Sequence, residues 1–437
     1  MRSPDSRFDA YVVDSILPET DQLPPRYRGR TLIVRSVVSG RQTKLLDCAN
    51  LAILENPQWS ADSCSLFIVE HELQQTTIRR IDRRTGSSLV LFRAAAYLHG
   101  LSWSADGERF IAIWESATEP PRLVCVNVAS GTVQTLHEPN ARFRELQIPA
   151  SRFVSIKNSF GLEHAVRITL PTNYVAGIKY PLVATTYSAH AGFPRGATGA
   201  EYPILWFARH GFVVASLRVA PDLLATSQRG NLEASLVRLR SPLETLEAVI
   251  RHLIQEGVVE QGRCGITGLS YGSEIVDWAL WNSEVFSAAA ASTCGLTPSQ
   301  VFSLEDRWRD GFYALRGLPY PDDEGMTAWR RYSAALNAAR VRMPVLLQPP
   351  DEEASAVLET YHSLKHAGVP VEMHVFPNEG HVKQRPASRY WAARRNVDWM
   401  RFWLKGEEDP DPALAVQYER WRALRRQHRR GSLAGGD

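Results

Sequence analysis

One pentapeptide of the form Gly-x-Ser-x-Gly, Gly268-Leu269-Ser270-Tyr271-Gly272, stands between a short apolar run (264–268) and an apolar helical stretch that reaches Leu280. A serine in so sharp a strand-to-helix turn projects its hydroxyl above a sheet, and glycines two residues to either side are needed because the turn leaves no room for side chains. The next backbone N–H, on Tyr271, then faces the oxyanion that forms when the hydroxyl attacks a carbonyl. The chemistry predicted is acyl transfer with Ser270 as nucleophile. A purely structural turn is the competing reading, and a strand before the motif with a helix after it argues against that.

A serine hydroxyl needs a histidine base oriented by a carboxylate, and in an elbow of this kind the chain order is Ser, Asp or Glu, then His. Among the downstream histidines, His362 and His366 share a helical face, His374 lies within a strand-like run and His428 belongs to the terminal tail. His381 follows a strand directly, in FPNEGHVK, where a loop can return it over the sheet, so it is the predicted base. The carboxylate should follow the preceding strand, where PVLLQPPDEEAS offers Asp351, Glu352 and Glu353 side by side. Spacing leaves the three open, since each also suits the first turn of a helix. The Gly-rich run TTYSAHAGFPRGATG (185–199) lacks the Gly-Lys-Ser/Thr of a phosphate loop and is suited to completing the oxyanion hole. Tyr187 or His190 is the candidate side-chain donor there, with a structural or substrate-facing role as the competing reading for each. No His-Glu-x-x-His or paired acidic cluster appears, so neither metal nor cofactor is expected.

These residues need a sheet whose strands end beside one another. From about residue 150, strand-like runs such as PLVATTY (181–187), FVVASL (212–217), FSAAAA (286–291) and VEMHVFP (371–377) alternate with helical stretches. In SPLETLEAVIRHLIQEG, Ser241 reads as an N-cap, Pro242 as the first helical residue and Glu244 as the third member of a capping box. Such alternation predicts a mostly parallel sheet wrapped by helices, with the site at the carboxyl ends of its strands. Before residue 145 the pattern is instead short strands with a repeat. PQWSADSCSLFIVE is echoed by LSWSADGERFIAIWE with Trp59 and Trp103 44 residues apart, and turn glycines recur at Gly40, Gly86 and Gly131. A period near 45 in strand-rich units is that of propeller blades. The expected architecture is α/β: an α/β-hydrolase domain (146–405) preceded by a partial β-propeller (1–145, about three blades) and followed by a linker and charged tail (406–437). A closed ring takes ~4–8 blades, so truncation of a longer protein is the expected reason for an open one.

The chain has 437 residues, 50 Lys and Arg against 47 Asp and Glu, and 44% apolar residues. A net charge of +3 points to no nucleic-acid partner, and the basic run around Arg425–Arg430 reads as a solvated helix face. No apolar stretch approaches a membrane span and the N-terminus has no signal-peptide layout, so as written the chain is expected in the cytoplasm. Five scattered cysteines suggest neither a disulfide framework nor a zinc site and read as buried small hydrophobes.

A propeller followed by this elbow and a late FPNEGH histidine resembles the prolyl oligopeptidase family of serine peptidases. Within it the chain is most similar to lasso peptide isopeptidases, through GITGLSYGSEIVDWALWNSEVFSAAAASTC (265–294), TTYSAHAGFPRGATGAEYP (185–203), PVLLQPPDEE, and the stretch from ETYHSLKHAGVPVEMHVFPNEGH to WMRFWL (359–404). The resemblance implies Ser270 as nucleophile, His381 as base and Glu353 as the acid. It implies a peptide substrate and hydrolysis of the amide that joins a lasso peptide's N-terminus to an Asp or Glu side chain. The rival readings are a general oligopeptidase acting on short linear peptides and a non-catalytic propeller fragment acting as a binding module. Two departures stand out: Ser273 occupies a position where the wider family has a second glycine, and that family commonly places a tyrosine donor near His190.

Overall fold

The computed structural model describes residues 1–17, 26–49, 53–55, 57–161, 163–186, 192–193, 202–218, 230–293, 296–303 and 313–434. Its N-terminal part is three small antiparallel sheets. The first is β1 (Phe8–Leu17), β2 (Arg26–Ser36) and β3 (Gln42–Ala49). The second is β4 (Ile53–Leu54), β5 (Gln58–Trp59), β6 (Ser65–Glu72), β7 (Gln75–Asp82) and β8 (Ser88–Ala94). The third is β9 (Tyr97–Trp103), β10 (Arg109–Glu115), β11 (Arg122–Asn127) and β12 (Val133–His137).

The repeat has a physical basis in two kinds of turn. Gly40, Gly86 and Gly131 each have φ near +70° and close the hairpin between the last two strands of a sheet, donating N–H to the carbonyls of Ser36, Asp82 and Asn127. The Trp-Ser-Ala-Asp segments form the other turn. In it the Ser60 and Ser104 hydroxyls each donate to an aspartate two residues on, Asp62 or Asp106, and accept the N–H of the strand that follows. The same turn occurs a third time, without the tryptophan, where Ser3 donates to Asp5 and accepts from Phe8 N. Ser6, Ser63 and Gly107 take the left-handed position in the three copies. Phe67 stacks on Trp103 at 3.9 Å between the second and third sheets. Together these sheets form a partial propeller.

The α/β domain is one eight-stranded sheet: β13 (Ser151–Lys157), β14 (Glu163–Thr169), β15 (Tyr180–Thr185), β16 (Val213–Arg218), β17 (Val259–Gly268), β18 (Ala288–Ala291), β19 (Val345–Leu347) and β20 (Val371–Met373). Their spatial order is β13-β14-β16-β15-β17-β18-β19-β20, parallel from β16 onward. The helices are α1 (Ile204–Arg209), α2 (Leu232–Gln255), α3 (Tyr271–Asn282), α4 (Pro298–Ser303), α5 (Met326–Arg330), α6 (Asp351–His366), α7 (Pro386–Met400) and α8 (Ala415–Ala434). Alternate strand residues serve opposite faces. Leu182, Ile266, Ala289 and Val345 join the core under α2 and α3, whereas Val183, Ala290 and Leu346 join that under α1, α7 and α8. Residues expected to be a linker and charged tail carry α8, whose Tyr418 and Trp421 pack with Trp399 and Phe402.

Two local expectations need correction. Helix α2 begins nine residues before Ser241, with Asn231 as its N-cap, and Pro242 lies inside it. A proline there cannot donate to the carbonyl of Arg238, four residues back. The Tyr271 hydroxyl donates to that carbonyl instead, at 2.6 Å, so the break is satisfied from another helix. Ser241 accepts from Asn158 and lies 2.9 Å from His164, while Glu244 accepts from Ser159, so neither acts as a cap. Of the cysteines whose side chains are described, only Cys264 is buried; Cys125 is half-buried and Cys64 is exposed in a turn. Among the described residues no helix is long and apolar enough to cross a membrane.

Candidate active site

At the carboxyl end of β17 the chain turns into α3 through Ser270, at φ 58° and ψ −127°. Non-glycine residues rarely occupy this region, and a serine held there is strained into exposing its side chain. The tightness of the turn is measurable at Gly268: a Cβ there would lie 2.2 Å from the carbonyl oxygen of Gly272. Each peptide of the elbow is fastened. Leu269 N–H donates to the Tyr202 hydroxyl at 2.6 Å, and that hydroxyl lies 3.3 Å from Leu269 O. Ser270 N–H donates to Thr293 Oγ1, and the Ser273 hydroxyl donates to Gly268 O. Ser273 thus ties the strand end to the helix. Tyr271 opens α3, where a helix leaves N–H groups without intrahelical acceptors and its dipole favours an anion. Its half-buried side chain is held by the bond to Arg238 O and by the Arg238 guanidinium 4.6 Å above the ring, and burial raises its phenol pKa.

The three adjacent acids have three different positions. Glu353 Oε1 lies 2.5 Å from His381 Nδ1. Asp351 accepts the N–H groups of Asn378 and Glu379 at 2.6 and 3.1 Å, and these bonds, the first above all, lower its pKa. Glu352 lies beside Gly380, its carboxylate 3.3 Å from where a Cβ would stand. Asp351 therefore shapes the loop that carries His381, and Glu379 continues the job by accepting from Gln384 N and Arg385 N. Beneath the loop the buried Lys383 ammonium stands 5.0 Å over the Phe376 ring and 3.5 Å from Ser292 Oγ. Ser270, Glu353 and His381 follow β17, β19 and β20, so all three stand at the carboxyl edge of the sheet.

Tyr187 and His190 lie outside the described residues, but the chain on either side of them is held. Before them, the Thr186 hydroxyl donates to Thr267 O. After them, Gly192 O accepts from the buried Arg167 at 2.6 Å, and Phe193 N–H donates to Glu115 Oε2 at 3.1 Å. Glu115 ends β10 of the propeller, is fully buried, and has His99 Nε2 3.3 Å from its other oxygen. Burial lowers the pKa of Arg167 to about 10, an effect that Glu115 opposes. A Cβ on Gly192 would come within 2.5 Å of the Glu115 carboxyl carbon, so any larger residue there would push that carboxylate off Phe193 N–H. Sequence reading missed Glu115, Arg167, Tyr202 and Thr293, because their partners are far away along the chain. Among the described residues no group of three or more His, Cys, Asp or Glu is placed to hold a metal ion.

Residues 240–407, which include the elbow, the acids and His381, match the profile of the prolyl oligopeptidase family. The α/β domain belongs to that family. The lasso peptide isopeptidase AtxE2 of Asticcacaulis excentricus is 38% identical over 344 residues, 77% of this chain and 49% of its own. Dipeptidyl-peptidase 5 of Porphyromonas gingivalis is 21% identical over 86% of this chain and 55% of its own length. The chain thus spans about half the length of the curated relatives it matches. The structure of an AtxE2 serine-to-alanine variant with Astexin3-dC4 bound superposes with a TM-score of 0.81 at 30% identity, covering 96% of this chain and 64% of that one. A puromycin hydrolase superposes at 0.61 and 17% identity, covering 93% of this chain and 69% of that one, which is a likeness of fold.

Proposed function

We propose that the protein is a serine isopeptidase that opens lasso peptides, with Ser270, His381 and Glu353 as its catalytic triad. The likeness to AtxE2 across both the partial propeller and the α/β domain supports the substrate class. The strained Ser270 and the Glu353–His381 pair support the chemistry.

Ser270 Oγ attacks the side-chain carbonyl carbon of the ring-closing Asp or Glu while His381 Nε2 takes its proton. His381 Nδ1–H stays bonded to Glu353, which fixes the tautomer and stabilises the imidazolium. The tetrahedral oxyanion accepts from the Tyr271 N–H and from a second donor on the 185–199 loop, Tyr187 or His190. The C–N bond breaks as Nε2–H protonates the departing N-terminal amine. Water then attacks the Ser270 ester, His381 again moving the proton, and a free carboxylic acid leaves. Glu115 and Arg167 hold the oxyanion-side loop in place from the propeller and from β14. The test is incubation with a threaded lasso peptide and its linear form, read by mass spectrometry. Gain of one water by the lasso, absent with Ser270→Ala, is the expected result, and turnover of the linear form alone would replace this reading with general oligopeptidase activity.

A further inference from the structure

A strongly basic cleft lies at the opposite end of the sheet from Ser270. A cleft of about 1100 Å³ opens where β17, β18 and β19 begin their parallel pairing, beside Gly262, Ser287 and Pro344. Its walls carry six cations, Arg263, Arg340, Arg342, Lys405, Arg425 and Arg429, against one carboxylate, Glu284. Arg263 and Lys405 have acidic partners nearby, Glu260 at 3.2 Å and Glu407 at 2.9 Å. Among the described residues no carboxylate is within ion-pair distance of the other four arginines. That leaves a net positive cavity whose charges repel: burial and the neighbouring Arg429 both lower the Arg425 pKa.

The cleft is also built to hold its shape. Arg340 lies 4.5 Å over the Trp281 ring, and Arg425 lies 3.5 Å over Phe402 and 5.3 Å over Trp403. Stacking of this kind orients a guanidinium edge for bidentate contact with a phosphate or carboxylate. The indole N–H groups of Trp281 and Trp403, both on the lining, are buried and have no acceptor among the described residues. Helix α8, which lies outside the region matched to the family, supplies Arg425 and Arg429, so its basic run contributes one wall of the cleft.

We propose that this cleft binds a ligand carrying two or more phosphate groups, by way of Arg340, Arg342, Arg425 and Arg429. Several arginines converging from separate elements match clustered phosphates better than a single carboxylate. Such groups occur on soluble polyphosphorylated molecules and on phosphoinositide headgroups, and the assay separates the two sources.

Titration calorimetry of the full chain with sodium tripolyphosphate at low ionic strength tests the first source. Flotation with phosphatidylcholine vesicles, with and without phosphatidylinositol bisphosphate, tests the second. Arg340→Ala with Arg425→Ala should weaken binding at least ~100-fold, from ~10-fold for each charged hydrogen bond removed. The exposed pair Arg342→Ala with Arg429→Ala, which removes no stacking, should weaken it ~100-fold by the same reasoning. Both double variants should label at Ser270 with a fluorophosphonate probe as fast as wild type, because the cleft is remote from the elbow. Arginine-dependent binding of tripolyphosphate, or of the phosphoinositide vesicles alone, supports the proposal and names the source. Absence of binding to both, or binding that survives both double variants, overturns it.

Discussion

Replacement of Glu353 is the sharpest test of which acid serves His381. Its carboxylate and the His381 ring are 2.5 Å apart, with side-chain exposures of 28% and 47%. In the transition state the ring is an imidazolium, and a unit charge pair ~4 Å apart at an effective dielectric near 20 attracts by ~4 kcal/mol. Partial exposure to solvent reduces that to ~2–3 kcal/mol. Glu353→Ala should therefore lower kcat by roughly 30- to 150-fold, by the relation of tenfold per ~1.4 kcal/mol. Glu353→Gln should be worse. Its amide donates to Nδ1, which puts the ring proton on Nε2 and leaves no lone pair to accept from Ser270, a tautomer error worth up to ~10⁴-fold. Glu352→Gln, which alters only a neighbour of Gly380, should stay within about threefold of wild type, as most exposed substitutions do. The assay is the second-order rate of fluorophosphonate labelling at Ser270, checked by kcat on the peptide substrate. Loss with Glu352→Gln and retention with Glu353→Gln would refute the reasoning.

Three further outcomes follow from the geometry. Gly268→Ala should abolish labelling and lower the melting temperature, because its Cβ would stand 2.2 Å from a backbone oxygen that cannot move without unwinding the start of α3; a labelled, stable variant would contradict the tight elbow. Glu115→Gln and Gly192→Ala should each lower kcat of the folded enzyme ~10-fold or more, within the range for a misplaced oxyanion donor, with KM little changed, while Glu115→Gln also lowers the melting temperature because Arg167 loses a buried counter-charge; full kcat per folded molecule would reduce the contact to simple packing. His164 is buried against Ser241 and its pKa is lowered to about 4 by burial. The unfolded chain then binds more protons between the ordinary value of 6.5 and that figure. Stability should therefore be complete above pH 6.5 and fall by up to ~3 kcal/mol towards pH 4, flattening in His164→Gln; urea unfolding across that range reads it.

How far each part is legible in the sequence depends on how local its physics is. The elbow is legible because the glycines at 268 and 272 answer to atoms only a few residues away, as the close approach of Gly268 to Gly272 O illustrates. The blade period is legible for the same reason, since one turn is closed by a serine bonding an aspartate two positions on and the other by a glycine N–H bonding a carbonyl four positions back. The first copy is hidden because it lacks the tryptophan that marks the other two. Pro242 misleads because local rules place a proline at a helix start, whereas its orphaned carbonyl is satisfied by Tyr271, 33 residues beyond Arg238. The three acids are equivalent in sequence and differ only in which loop group each meets, so the resemblance to a family, not spacing, singles out Glu353. Glu115 gives no signal at all: its partner Phe193 is 78 residues away in another domain.

The most direct measurement is the mass of a threaded lasso peptide after exposure to the purified chain. Addition of one water, with release of the N-terminal amine, by wild type and not by Ser270→Ala is the expected result. An unchanged lasso in the presence of a chain that labels at Ser270 would contradict the isopeptidase assignment and leave only a serine hydrolase of another specificity.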